Sequence, residues 1–66
     1  MWTIVYMARS KEIADKLEKL LVEEGIMVKI KATNKNGEND QDNYYEVLVP
    51  ENEKEEAHSI IIERGY

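Results

Sequence analysis

The residues that could carry out acid–base or nucleophilic chemistry are few and scattered. His58 is the single histidine, and a general base needs a nucleophile or an orienting acid within reach. Ser59 is its neighbour in sequence, so in a helix the two side chains point to different sides. Ser10 is better explained as a helix cap. We therefore predict no catalytic residue and a protein that is not an enzyme.

Carboxylates are plentiful, but their spacing does not indicate a site. The glutamates of the last predicted helix fall mostly on its water-facing side: Glu53, Glu55, Glu56 and Glu63. A calcium loop that starts at Asn34, in the polar segment 34–43, would need a glycine at position six and a glutamate at position twelve, where the sequence has Asn39 and Tyr45. There is no cysteine and no glycine-rich phosphate motif. The sequence therefore predicts no metal and no cofactor.

Charge and hydropathy exclude further classes of function. The net charge is −5, which argues against nucleic-acid binding because that needs a dense basic patch. No apolar run reaches the roughly 18 residues of a membrane helix, and no charged segment precedes Trp2 as in a signal peptide. The absence of cysteine fits a reducing compartment. We expect one cytoplasmic domain, residues 1–66, that binds neither nucleic acid nor membrane.

Hydrophobic periodicity predicts five elements. A continuous apolar run, Trp2–Met7, indicates a first strand. Ser10 as a cap and Gly25 as a stop bound a helix over Lys11–Glu24, and its apolar stripe is Ile13, Leu17, Leu20 and Leu21. Alternation predicts two further strands, one with Ile26, Val28 and Ile30 inward and one with Tyr45, Val47 and Val49 inward. Pro50 ends the third strand, and a second helix follows over Glu51–Arg64 with Ala57, Ile60 and Ile61 in the core.

These elements favour an α+β fold. The first helix can join two parallel strands by a right-handed crossover, and the third strand can lie between them, antiparallel to both. We predict a two-layer β-α-β-β-α sandwich, with a three-stranded sheet in the order 1-3-2 and two helices on one face. This is a ferredoxin-like arrangement that lacks the fourth strand.

Without a fourth strand, the most apolar strand lies at a sheet edge with no proline or lysine to protect it. The face away from the helices adds Met27, Lys29, Lys31, Tyr44, Glu46 and Leu48, with either Trp2, Ile4 and Tyr6 or Thr3, Val5 and Met7 from the first strand. We predict a homo-oligomer through this edge or this face. The candidate interface residues are Val5, Met7, Met27, Tyr44, Leu48 and Ile62. A monomer with some apolar surface is the alternative.

Several short blocks resemble a family of small bacterial signal-transducing protein domains whose biochemical function is not determined. They are Val5-Tyr6, Ile13-Ala14, Leu20-Leu21, Glu24-Gly25-Ile26, Val47-Leu48-Val49-Pro50 and Ala57. The family is similar in outline to the PII-type signalling fold, in which the loop between the second and third strands reaches out to partners. The resemblance implies a partner loop here, with Asn36, Gly37, Glu38, Asp40 and Asp42 as its candidate contacts. It implies no nucleotide site.

Two functions remain open from the sequence. The first is a non-enzymatic interaction or signal-transducing module that binds itself and a further protein. The second is a small-ligand sensor of ACT-like or PII-like type, with Arg9 and Ser10 as ligand contacts at the first strand–helix turn. The sequence does not decide between them, because fold alone does not determine function.

Overall fold

A computed structural model describes residues 1–34 and 43–66. Its elements are the strands β1 (Trp2–Ala8), β2 (Lys29–Asn34) and β3 (Asn43–Pro50) and the helices α1 (Lys11–Glu23) and α2 (Lys54–Glu63), with a short 3-10 turn at Glu51–Glu53. Each helix or strand lies within a few residues of its predicted position.

The three strands form one sheet in the order β1-β3-β2. β3 runs antiparallel to both neighbours, so β1 and β2 are parallel to each other. The helix that joins them is α1, as parallel strands require a crossover connection. The predicted α+β architecture and strand order are confirmed.

A β-bulge interrupts β1 at Val5. Ile4 lies opposite Leu48 and Tyr6 opposite Val47, which leaves Val5 as the extra residue on β1. A bulge lets two successive positions share one face of the sheet. Val5 is buried and Tyr6 packs against the same core, whereas Trp2, Ile4 and Met7 are exposed. Neither predicted alternation of β1 is therefore correct along its whole length.

Helix α1 begins and ends as its sequence predicts. The Ser10 hydroxyl accepts a hydrogen bond from the Ile13 amide at 3.2 Å, and this satisfies one of the free donors of the first turn. Gly25 follows the helix with φ of 85°, a conformation that costs a residue with a Cβ. The Ile26 amide then donates to the Leu21 carbonyl at 3.0 Å, so the chain turns back toward the sheet.

Helix α2 begins three residues later than predicted, because Glu51–Glu53 forms a 3-10 turn. The Glu51 amide donates to the Met1 carbonyl at 2.8 Å. This bond ties the end of β3 to the start of β1. No side chain caps the helix that follows, and the acidic residues of its first turn favour the positive end of the helix dipole.

The core lies between the sheet and the two helices. α1 packs mainly on β3 and α2 mainly on β1. Both helices contribute fully buried residues, and so does the central strand: Ala14, Leu17, Leu21, Ala57, Ile61, Val47 and Val49. The predicted stripes are confirmed, although Ile13 and Ile60 are only partly buried. Across residues 1–34 and 43–66, neither helix has the length and apolar character that would cross a membrane.

Candidate interaction surface

The sheet surface opposite the helices carries a mixture of apolar and basic side chains. We call this surface the open face. Its residues are Trp2, Ile4 and Met7 from β1, Tyr44, Glu46 and Leu48 from β3, and Lys29, Lys31 and Thr33 from β2.

Strand register arranges the open face in rows. Ile4 lies opposite Leu48, and Leu48 lies opposite Lys29. The next row is Met7, Glu46 and Lys31. Residues directly opposite each other share a face of the sheet. The open face is therefore apolar along β1 and basic along β2.

Two contacts satisfy polar groups within the open face. The Lys29 ammonium lies 5.0 Å from the centre of the Trp2 ring, within the range of a cation–π interaction. Thr33 Oγ1 donates to Glu46 Oε2 at 3.1 Å. Because Lys29 reaches from β2 to β1 across the central strand, it covers part of the apolar surface with its methylene chain.

Five of the six predicted interface residues fall into three groups. Met7, Tyr44 and Leu48 belong to the open face. Met27 is exposed ahead of β2. Val5 is only 9% exposed. The prediction that Val5 contacts a partner is wrong, because the bulge directs its side chain into the core.

Ile62 is exposed, as its position off the core stripe predicts. It lies on the helix layer and does not extend the open face. Arg64 Nη2 approaches Glu24 Oε2 at 3.8 Å, so the flank of α2 that bears Arg64 faces the end of α1. Ile60 precedes Arg64 by about one turn and lies on the same flank. Ile62 is about 200° from Ile60 around the helix. Ile62 therefore faces away from α1.

The terminal aromatic residue has a packing role that the sequence pattern did not reveal. The ring of Tyr66 meets the ring of Tyr6 edge to face, with centres 6.4 Å apart. Tyr6 lies on the helix side of the sheet because it is opposite Val47. The bulge at Val5 brings Tyr6 to this position. Because the sequence does not reveal the bulge, it does not reveal the contact between Tyr6 and Tyr66.

The two sheet edges differ. The bulge divides the β1 edge into two pieces of three residues, Trp2–Ile4 and Tyr6–Ala8, and short or bulged edges resist pairing with another chain. β2 pairs with β3 in one unbroken register, but it carries Lys29 and Lys31. Lysine side chains are another common feature that keeps an edge strand from pairing indiscriminately with other chains.

The predicted ligand contacts, Arg9 and Ser10, line neither of two pockets formed by the described residues. The Ser10 hydroxyl is engaged in the α1 cap, and Arg9 is exposed. A shallow pocket of about 320 Å³ lies instead between α1 and the end of α2. Its lining is Lys16, Lys19, Leu20, Glu23, Arg64 and Tyr66.

A second groove, of about 410 Å³, runs between α1 and the outer edge of β2. Val28, Ile30, Ala32 and Tyr45 line it from the sheet, and Lys11, Asp15, Glu18 and Lys29 surround them. Lys11 Nζ donates to Asp15 Oδ2 at 3.0 Å. This hydrogen bond to the carboxylate, with its charge, raises the pKa of Lys11.

The remaining predicted features are exposed or lie outside the described residues. His58 and Ser59 are both exposed on α2. No cluster of three metal-ligating side chains occurs within residues 1–34 and 43–66. The partner-loop residues, Asn36, Gly37, Glu38, Asp40 and Asp42, lie outside the described residues. Comparisons with protein-family models, with curated proteins and with solved structures found no match.

Proposed function

We propose that this protein is a non-enzymatic interaction module of regulatory type that docks a protein partner through the open face. A second copy of the chain is the partner to test first. The resemblance to bacterial signal-transducing domains supports this proposal independently of the surface itself.

One observation carries the proposal: the apolar side of the open face is contiguous. Trp2, Ile4 and Met7 are 37%, 41% and 44% exposed, and Leu48 lies beside Ile4 in the sheet. Single exposed apolar residues are normal on a protein surface, whereas contiguous groups mark interaction sites. This group lies on a hydrogen-bonded sheet, which is a rigid platform for a partner.

The size of the open face favours reversible docking. Three strands about 4.8 Å apart and about six residues long, at about 3.3 Å per residue, give a footprint of about 300 Å². Stable complexes bury about 800 Å² per partner, and weak signalling contacts bury less. A regulatory contact that forms and dissociates fits this area better than an obligate oligomer does.

The test is sedimentation equilibrium over a wide concentration range, on the wild type and on an Ile4→Lys variant. We expect the wild type to show a reversible rise in weight-average mass and Ile4→Lys to remain monomeric. Leu48→Lys should behave in the same way, because it lies opposite Ile4. A wild type that stays monomeric at every concentration would rule out a second copy as the partner, and association that both substitutions leave unaltered would rule out the open face as the contact.

Val22→Lys is the matched control. Val22 is 54% exposed on α1, so the substitution removes an exposed apolar side chain and adds the same charge away from the open face. We expect Val22→Lys to associate almost as the wild type does. Val5→Lys is unsuitable as an interface test, because Val5 is buried and its replacement would destabilise the fold.

A small-ligand sensor is the second candidate, and the pocket between the helices favours it. The pocket is lined by three basic residues and one acidic residue, Glu23, together with Leu20 and Tyr66: the basic residues are Lys16, Lys19 and Arg64. An excess of positive charge beside apolar side chains suits an anionic metabolite with an apolar part. Arg64 also lies 3.8 Å from Glu24, so a ligand would compete with that ion pair.

A thermal-shift screen with amino acids, nucleotides and dicarboxylates tests the sensor. A ligand that binds the folded protein raises its midpoint of unfolding. Stabilisation that an Arg64→Ala variant abolishes would support the sensor. No shift with any compound up to millimolar concentration would exclude it for these ligand classes.

A further inference from the structure

We propose that the outer edge of β2 and the groove beside α1 bind an extended peptide segment of a partner protein, added to the sheet as a further strand. The segment alternates acidic and apolar residues. This surface lies at a different part of the sheet from the apolar side of the open face, and the proposal does not depend on docking there.

The edge of β2 has the regularity that strand addition requires. β2 is an edge strand in the order β1-β3-β2, and all six of its residues pair with β3 without a shift in register. Within residues 1–34 and 43–66, no strand pairs with its other side. The outward amide and carbonyl groups can therefore hydrogen-bond to an added backbone, which is a common mode of peptide recognition.

The groove supplies specificity on the helix side of the sheet. An added strand directs alternate side chains to the two faces, and those on the helix side would enter the groove of about 410 Å³ between β2 and α1. Val28, Ile30 and Tyr45 are only partly buried there. The charged residues that border the groove balance, with Lys11 and Lys29 against Asp15 and Glu18. The side chains that enter it should therefore be apolar, to match the sheet side of the groove.

Charge supplies specificity on the other side. The side chains of the added strand that face away from the groove lie beside the backbone positions of Lys29 and Lys31. Lys31 is exposed there, whereas the Lys29 ammonium lies over the Trp2 ring and turns outward from that ring to pair with the peptide. On its inner side, β2 already places Lys31 opposite Glu46, and opposite charges across strands are favourable. The same arrangement on the outer side calls for Glu or Asp at alternate positions of the peptide.

The same charges disfavour a second copy at this edge. Antiparallel pairing of β2 with β2 of another chain, in the register that sets Lys29 opposite Lys31, brings lysines opposite lysines, which is unfavourable, and no register supplies an acidic partner because β2 contains none. The edge of β1 offers no acidic residue over Trp2–Ala8 to compensate for Lys29 and Lys31. The occupant is therefore a segment of a different protein.

The test uses labelled synthetic peptides of about seven residues, an ordinary strand length, with binding followed by fluorescence anisotropy. One peptide alternates Glu and Val, and its comparator alternates Lys and Val. We expect the Glu peptide to bind at least about tenfold more tightly, from two cross-strand charge pairs. The net charge of −5 would by itself favour the Lys peptide, so equal binding or a preference for Lys would overturn the proposal.

Backbone methylation tests the mode of binding. Two further Glu peptides carry N-methyl groups on one or the other alternate set of residues, so each loses hydrogen bonding along a single edge. Strand addition uses only one edge of the peptide, and we expect only one methylated peptide to lose binding. If both retain binding, or both lose it, the peptide does not add as a strand to β2.

Charge reversal tests the location. The double variant Lys29→Glu/Lys31→Glu should reverse the preference between the Glu and Lys peptides. The control variant Lys16→Glu/Lys19→Glu makes the same change of charge on the exposed part of α1. It should preserve the preference for the Glu peptide. Equal effects of the two variants would overturn the proposal. Ile4→Lys should retain peptide binding even though it disrupts the open face, so the two proposals can fail separately.

Discussion

Two neighbouring isoleucines illustrate how position alone determines the contribution of a residue. Ile61 is 1% exposed and Ile62 is 59% exposed, because one step along a helix rotates the side chain by about 100°. We predict that Ile61→Ala lowers the free energy of unfolding by about 2–5 kcal/mol, the usual range for buried isoleucine. Urea denaturation measures this loss.

The control for this prediction is Ile62→Ala, which should change the unfolding free energy by less than about 0.5 kcal/mol. Because Ile61→Ala could leave so small a domain unfolded, Ile61→Val provides a milder variant with an expected loss of about 0.5–1.5 kcal/mol. Equal effects at the two positions would contradict the placement of α2 on β1.

The cap of α1 supports a second prediction at the scale of a residue. Ser10→Ala removes the acceptor for the Ile13 amide and should lower the unfolding free energy by about 1 kcal/mol. Ser10→Asp keeps an acceptor and should retain most of the stability. Ser59→Ala, at an exposed position within α2, should be nearly neutral, and the comparison is made by thermal or urea unfolding.

At the scale of the element, the turn from α1 to β2 depends on one backbone conformation. Gly25 has φ of 85°, and nothing lies within 4 Å of a Cβ built there. The penalty of Gly25→Ala is therefore conformational, about 1–2 kcal/mol. Gly65 has φ of 89° and equally open surroundings, but the residue after it, Tyr66, is exposed, whereas Ile26 after Gly25 is buried in the core.

We accordingly expect Gly65→Ala to release the end of α2 and the Tyr66 contact while it lowers global stability less than Gly25→Ala does. Urea midpoints of the two variants measure the difference. A larger loss of stability for Gly65→Ala would mean that the contact between Tyr66 and Tyr6 contributes more to stability than the turn at Gly25 does.

The side of the sheet that a strand residue faces could be predicted where apolar and polar residues alternate, and not where they do not. The alternation around Ile30 and Val47 established which residues of β2 and β3 face the helices. β1 is apolar on both sides, so its sequence has no period that would reveal the bulge at Val5. The bulge decides which residues of β1 join the open face, and the cation–π contact between Lys29 and Trp2 depends on that placement.

The ends of β2 also depart from the hydrophobic pattern. The pattern begins at Ile26, yet regular pairing begins at Lys29 and continues to Asn34, opposite Asn43. Ile26 is buried although it lies outside the strand, because the turn after α1 already places it against the core. Conversely, backbone pairing with β3 extends the strand to Asn34, beyond the last residue of the apolar alternation.

For the whole molecule, net charge opposes the docking of one copy on another. Each chain carries −5, but the open face itself bears two lysines and one glutamate, so the repulsion comes from the rest of the surface. Charges separated by more than about 10 Å are largely screened at about 0.1 M salt. We therefore predict that self-association strengthens as salt rises from a few millimolar to physiological ionic strength.

The measurement is sedimentation equilibrium at a fixed protein concentration in a series of sodium chloride concentrations. Apolar contacts at Ile4, Met7 and Leu48 persist in salt while the repulsion weakens, so the weight-average mass should increase. Ile4→Ser, which alters no charge, should remove most of the increase. If the mass instead decreases with salt, attractive ion pairs dominate the contact, and the apolar side of the open face is not what holds two copies together.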